Sequence, residues 1–296
     1  MSSVGDFATR SLRIEDTPRP FREALLHRVD EGENIRHLIH SPAFATGKFR
    51  SLASLLCVTD KRWLIVLCEK DGTITVGEST YDSILLVELT IILLSGQLKI
   101  DFVFKGEARS TALQFNTVMK RDYLRAIQDI LTAIDGDGEV GEKRDLRNSP
   151  ILRDWPLKFR NMSILYAPEN SSLLDGVQWT EVYGLFHRQL SPAAAMLLTE
   201  RYIVVIAEEK PGWLQFRPRA NYGQIITYLP RNRLAKFQIR QAARFSLLEL
   251  EGHRGDGGEK LVIMLPHDKE EAVSGLLKGV SASAKRVGDN MEDPRK

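Results

Sequence analysis

Residues 55–72, LLCVTDKRWLIVLCEKDG, hold two apolar runs split by Thr59-Asp60-Lys61-Arg62 and closed by Asp71-Gly72. Each run is too short for a helix of ordinary length. Both are rich in β-branched and aromatic residues, the composition of half-buried or fully buried strands. Asp60-Lys61 has the length of a tight hairpin turn, and Asp tolerates turn geometry. The stretch therefore reads as a hairpin with its charges at the tip, in water, and its flanks paired.

The pattern returns at 196–212, MLLTERYIVVIAEEKPG. Thr59 aligns with Thr199, Arg62 with Arg201 and Trp63 with Tyr202, which makes the second turn one residue shorter. Upstream, HLIH (37–40) aligns with GLFH (184–187), and downstream SILLVEL (83–89) parallels RLAKFQI (233–239). Each copy closes on an amphipathic helix. Met119, Tyr123, Ile127, Ile130 and Ile134 recur at helical spacing after an Asn116 cap. Ala272, Val273, Leu276, Leu277 and Val280 do so after Pro266-His267-Asp268.

In the first copy, strands are expected near 34–40, 53–59, 62–69, 73–77, 83–94, 97–104 and 108–114, then a helix over 116–134. In the second they are expected near 180–187, 193–199, 201–207, 223–229, 233–240, 244–251 and 259–265, then a helix over about 268–284. The 296 residues suffice for two cores. The expected layout is a disordered N-terminus at 1–15 and a first domain at 16–134. A linker rich in Gly and charge at 135–150 leads to a second domain at 151–285 and a disordered tail at 286–296. A lead-in helix at 18–30 would place Phe21, Leu25 and Val29 on one face.

A strand meander sealed by a C-terminal helix, with the TDKR hairpin, its LTERY counterpart and the preceding GENI…LIHSP strand, resembles the bacterial pleckstrin-homology-like family. The resemblance covers about 31–134 and 177–284. It implies an α+β, mainly β chain of two tandem domains of that type. Each would be a bent antiparallel seven-stranded, partly open barrel capped by its C-terminal helix. It also implies a binding or scaffolding role, and allows Lys48 and Arg50 in the loop 41–54 as a clamp for inositol phosphates. In the second copy the corresponding loop reads seven residues shorter and offers Arg188.

Composition narrows the function classes. Apolar content of 43% and charged content of 27% are those of a globular protein. A net charge of +2 gives no overall field for a polyanion, so local patches must carry any electrostatic case. Cys57 and Cys68 are too few for a disulfide framework or a four-ligand zinc site, and read as small buried thiols. The start lacks the apolar core of a signal peptide and no run of about 18 apolar residues exists, so the expected location is cytoplasmic.

Neither Gly-rich phosphate loop is present, nor a G-x-S-x-G elbow. His37 and His40, three apart on a strand, point to opposite faces and read as core or edge histidines. Asp135, Asp137 and Glu139 hint at a calcium loop, which fails at Val140 and Leu146. No enzyme, cofactor, metal site or small-molecule substrate is expected.

Two features point to binding. In ILLVELTIILL (84–94) both strand faces are apolar. One face serves the core, and the other must be covered by the same chain or by a partner. Ile84, Leu86, Glu88, Ile92 and Leu94 are thus candidates for a protein interface. The segment 210–244 holds eight basic residues and no acid, with Trp213, Phe216 and Tyr222 interleaved. Trp213, Arg217, Arg219, Arg231, Arg233 and Lys236, with Lys48 and Arg50, are the candidates for an anionic ligand or membrane surface. A solvated strand face is the plainer alternative. Expected partners are other proteins first, an anionic membrane second and nucleic acid last.

Overall fold

The computed structural model describes residues 9–46, 49–134, 136, 146–184, 189–208 and 223–289, without the side chains of 46–50 and 281–289. The chain divides into two compact units, Met1–Glu139 and Val140–Lys296. Antiparallel β-sheet dominates both, with a few helices, so the class is α+β.

The first unit runs β1 (Thr9–Ser11), α1 (Arg19–Leu26), β2 (Ile35–Ser41), β3 (Ala45–Thr46), β4 (Phe49–Arg50), β5 (Ala53–Thr59), β6 (Arg62–Cys68) and β7 (Ile74–Thr80). It continues with β8 (Ile84–Ile92), β9 (Ser95–Phe104), β10 (Glu107–Asn116) and α2 (Lys120–Ile134). Strands β1-β2-β5-β6-β7 form one antiparallel sheet. Strands β8, β9 and β10 follow as a meander.

Leu55, Cys57, Leu64 and Val66 pack with Phe21, Ala24 and Leu25 of α1. The alternate residues Leu56, Val58, Trp63 and Ile65 are fully buried on the opposite face, where Trp63 meets Phe102 of β9 edge-on at 5.0 Å. Both faces of β5 and β6 are therefore covered, and this is why they read as unbroken apolar runs. Helix α2 buries Tyr123, Ala126, Ile127, Ile130, Leu131 and Ile134, a stripe of 3.6-residue period. Its entry is a 3-10 turn, Thr117–Met119, with the Val118 amide donating to the Asn116 side chain at 3.0 Å.

The second unit runs α3 (Leu157–Tyr166), β11 (Leu173–Trp179), β12 (Val182–Tyr183), β13 (Gln189–Ser191), β14 (Ala194–Thr199), β15 (Tyr202–Glu208) and β16 (Gly223–Pro230). After these come β17 (Leu234–Gln241), β18 (Ser246–Arg254), β19 (Gly257–Leu265) and α4 (Glu270–Asp289). Pairing runs β11-β14-β15-β16, with β17, β18 and β19 as a meander. Met196, Leu198, Ile203, Val205, Leu248, Leu250, Leu265 and the α4 residues Val273, Leu276, Leu277 and Val280 form its core. Phe159 of α3 lies on Ala193 and Ala195 with Trp155 beside it.

The two units share irregularities as well as order. β2 skips a residue between Ile35 and His37 against β5, and β11 skips one between Leu173 and Asp175 against β14. β8 skips between Ile84 and Leu86, and β17 between Leu234 and Lys236. Bulges in matching places of both units mark one architecture used twice.

Register corrects three details of the sequence alignment. The first long strand of the second unit is 173–179, not 180–187, and GLFH falls between β12 and β13, with 185–188 outside the described residues. The loop between the first two long strands accordingly covers 42–52 in the first unit and 180–193 in the second, so the second unit's loop is the longer, not the shorter. The hairpin turns are of equal length, because Val58 pairs Trp63 as Leu198 pairs Ile203. Tyr202 thus takes the place of Arg62.

Helix α3 was not expected. Its signal was legible: I-E-D-T-P-R-P-F (14–21) and L-R-D-W-P-L-K-F (152–159) share Asp, Pro and Phe at one offset. Each Pro then caps a helix, α1 or α3. Near the ends, β1 pairs with β2 and α4 reaches Asp289, while 1–8 and 290–296 lie outside the described residues.

Candidate functional site

The TDKR turn is built from its threonine. Thr59 Oγ1 accepts from the Lys61 and Arg62 amides and donates to the Arg62 carbonyl. Thr199 does the same with the Tyr202 amide and carbonyl. The neighbouring acid ties the turn to the preceding strand. The Asp60 amide donates to the Asn34 carbonyl at 3.0 Å while the Asn34 amide donates to Asp60 Oδ1 at 3.1 Å. Glu200 and Ser172 repeat this exchange at 3.0 and 3.2 Å. Arg62 Nη2 lies 2.8 Å from both Asp30 and Glu33. The charges that interrupt the apolar runs are bonded parts of the fold as much as a wet tip.

The carbonyls of each turn are capped from outside, by Tyr81 in one unit and Arg231 in the other. Tyr81 Oη donates to the Thr59 and Arg62 carbonyls at 2.5 and 2.8 Å. Arg231 Nη1 donates to the Thr199 and Glu200 carbonyls at 3.1 and 2.9 Å. Burial lowers the Arg231 pKa. Arg233 is itself buried. These two candidates for an anionic ligand are therefore structural cations. Arg240, from the same basic segment, pairs with Glu249 at 2.9 Å, and Lys260 joins that carboxylate at 2.6 Å. Lys236 is exposed on β17. Lys48, Trp213, Arg217 and Arg219 lie outside the described residues, and Arg50 is placed by its backbone alone, opposite Ala45.

One grouping has the composition of a hydrolytic triad. Ser246 Oγ lies 2.8 Å from His267 Nδ1, and Glu270 Oε1 lies 3.0 Å from that same nitrogen. Ser246 Oγ also donates directly to Glu270. A proton relay needs the serine on one ring nitrogen and the acid on the other. Here both crowd Nδ1, and Ser246 is fully buried. With Gln241 Nε2 adding bonds at 3.0 and 3.2 Å, these donors pull the Glu270 carboxyl down to about 2, led by the Ser246 bond. The arrangement anchors the first turn of α4.

His37 Nε2 sits 2.7 Å from Asp129 Oδ2, joining β2 to α2 and lowering the Asp129 pKa. Burial pushes the Cys57 thiol up to about 12. Cys57 is buried as expected and Cys68 is only half-buried. Among the described residues no group of three or more His, Cys, Asp or Glu could hold a metal ion, and no helix is long and apolar enough to cross a membrane.

The interface candidates on β8 divide along the strand. Ile84 and Leu86 are buried, as are Leu85, Val87 and Leu89 between and after them. Glu88 is half-buried, and desolvation raises its pKa against the pull of Lys99. Ile92 is half-buried, and Leu94 is 60% exposed. The strand ends at Ile92, which pairs Ser95, so Leu93-Leu94 is a two-residue hairpin turn rather than more strand.

Leu93 has φ +51° and is 65% exposed. Left-handed backbone suits Gly or Asn and costs Leu about 1 kcal/mol. Thr117 locks the turn to the α2 entry, its amide donating to the Leu94 carbonyl at 3.0 Å and its hydroxyl to the Leu93 carbonyl at 3.2 Å. Val118, the next residue, is 81% exposed. Sequence inspection missed Leu93 and Val118. The available signal was Leu-Leu before Ser-Gly, apolar residues standing where a turn wants polar ones.

The chain matches no protein-family model and no curated protein.

Proposed function

We propose that the chain is a non-enzymatic adaptor, two pleckstrin-homology-like modules that scaffold or regulate a larger assembly through protein contacts. The doubled architecture carries this reading: the same meander, the same two bulges and the same closing helix occur in each unit. The polar groupings with a chemical look support it further. Ser246, His267 and Glu270 anchor a helix, and His37 with Asp129 staples a strand to one. Large apolar side chains stand exposed in both units, including Leu26 at 59% in the first and Leu157 at 70% in the second. Such side chains give a partner something to bury.

The test is purification of the tagged full chain from its native cells, followed by mass measurement in solution. The expected result is a stoichiometric protein partner in a complex heavier than the 33.5 kDa chain. Recovery of the chain alone as a monomer would overturn the reading.

A further inference from the structure

We propose that the β8–β9 turn and the start of α2 dock on an anionic membrane surface. Leu93, Leu94 and Val118 would enter the boundary between headgroups and acyl chains, and Arg121 and Arg125 would meet the lipid phosphates. This goes beyond the adaptor reading and rests on none of its premises.

Shape is the first argument. A two-residue hairpin tip is a protrusion, and its two leucines, with Val118 at the adjoining helix entry, are among the most exposed large apolar side chains of the described residues. A protrusion needs a yielding medium or a pocket to enter. Charge decides between these. Val118, Arg121 and Arg125 recur at i, i+3 and i+7, so they share one side of the helix entry. Both arginines are exposed and neither makes an ion pair among the described residues. Lys120 stands beside them, half-buried. The acid in this stretch, Asp122, is held by Arg10 at 3.6 Å. Apolar side chains ringed by cations fit a bilayer interface bearing acidic lipids.

The second unit supplies an internal comparison. At the same place its turn reads Ala242-Ala243-Arg244-Phe245, and Asp268 occupies the position of Val118. Glu270 and Glu271 open α4. The architecture thus folds without a pair of exposed leucines there, since Phe245 is half-buried and the exposed positions of that turn are Ala243 and Arg244. An acidic helix start would be repelled by acidic lipid. The shared architecture therefore does not require the exposed Leu93 and Leu94 of the first unit. That unit keeps Leu93 at positive φ despite the strain.

The test is co-sedimentation of the full chain with vesicles of phosphatidylcholine alone and of phosphatidylcholine containing phosphatidylserine. The expected result is binding to the acidic vesicles that weakens as salt rises. Leu93→Gly with Leu94→Asn installs a dipeptide suited to a turn with positive φ at its first position. That variant should keep or raise its melting temperature while losing about tenfold or more in binding. Arg121→Gln with Arg125→Gln should lose about thirtyfold.

No sedimentation of the unaltered chain would overturn the proposal, as would equal binding by the Gly-Asn variant. Equal binding to neutral vesicles would remove the role of the arginines and overturn it too. A lipid-free dimer that the Gly-Asn variant converts to monomer would assign the turn to a second copy of the chain instead.

Discussion

Replacing Thr59 by Val keeps the side chain's shape and removes the oxygen that the Lys61 and Arg62 amides bond. Thr59 itself is buried and the turn around it only in part. The amides that lose their partner should therefore cost about 1 kcal/mol, up to about 3 if water cannot reach them. Thr199→Val should behave alike for the Tyr202 amide. Denaturant unfolding of the full chain, followed by tryptophan fluorescence, checks both, and unchanged midpoints would mean that water substitutes for the hydroxyls. The two cysteines differ at the same scale. Cys57 is buried with its thiol pushed up to about 12, and a thiol rather than a thiolate reacts poorly at neutral pH. A disulfide reagent should therefore modify Cys68 in the native protein and reach Cys57 only after unfolding.

At the scale of the element, Gly96 fixes how β9 meets β10 and α2. A Cβ there would lie 2.3 Å from Phe115 Cζ, and that ring is stacked on Tyr123 at 3.8 Å, so it has no room to retreat. Gly96→Ala should destabilise the first unit by about 2 kcal/mol, read as a shift in its unfolding midpoint. Its counterpart Ser246 carries a side chain in the second unit, where the hydroxyl serves Glu270.

Glu270 makes the second unit sensitive to acid. Its folded pKa of about 2 lies below the ordinary 4.5. The stabilisation is therefore complete above pH 4.5 and is lost as pH falls toward 2. Glu270→Gln should lower stability at neutral pH and flatten its decline across that window. A pH series of melting temperatures for both proteins would show it.

For the whole molecule, the two units share a plan and differ in what they present. The hairpin threonine, the reciprocal exchange with the preceding strand, both bulges and the entry turn of the closing helix recur. The carbonyl cap is a tyrosine in one unit and an arginine in the other, and the turn before the second meander strand is Leu93-Leu94 in one and Ala242-Ala243-Arg244-Phe245 in the other. The differences concentrate at tips and caps, while the meander is retained. If the chain has both proposed roles, Leu93→Gly with Leu94→Asn should lose vesicle binding while the proposed protein partner still co-purifies from the same cells. Co-purification of the variant, alongside the vesicle assay, separates the two roles.

Short-range signals decided much of this fold. Alternating and doubled apolar runs placed the strands of both meanders, and 3.6-residue periodicity with the Asn116 cap placed α2, because these depend on neighbours in the chain. Register across strands depends on partners far away, so GLFH was matched to HLIH on composition while β11 formed seven residues earlier. Arg231 and Arg233 read as free cations because a sequence shows charge but not the carbonyls or the burial that absorb it. Leu93 and Leu94 read as strand because their side chains are apolar, and only the closing of β8 onto β9 turned them outward. The sequence alone determined most of the strands and the two closing helices, since propensity and periodicity are local. Which apolar residues end up covered and which polar ones are already spent was decided by tertiary packing, since both are properties of what arrives from elsewhere in the chain.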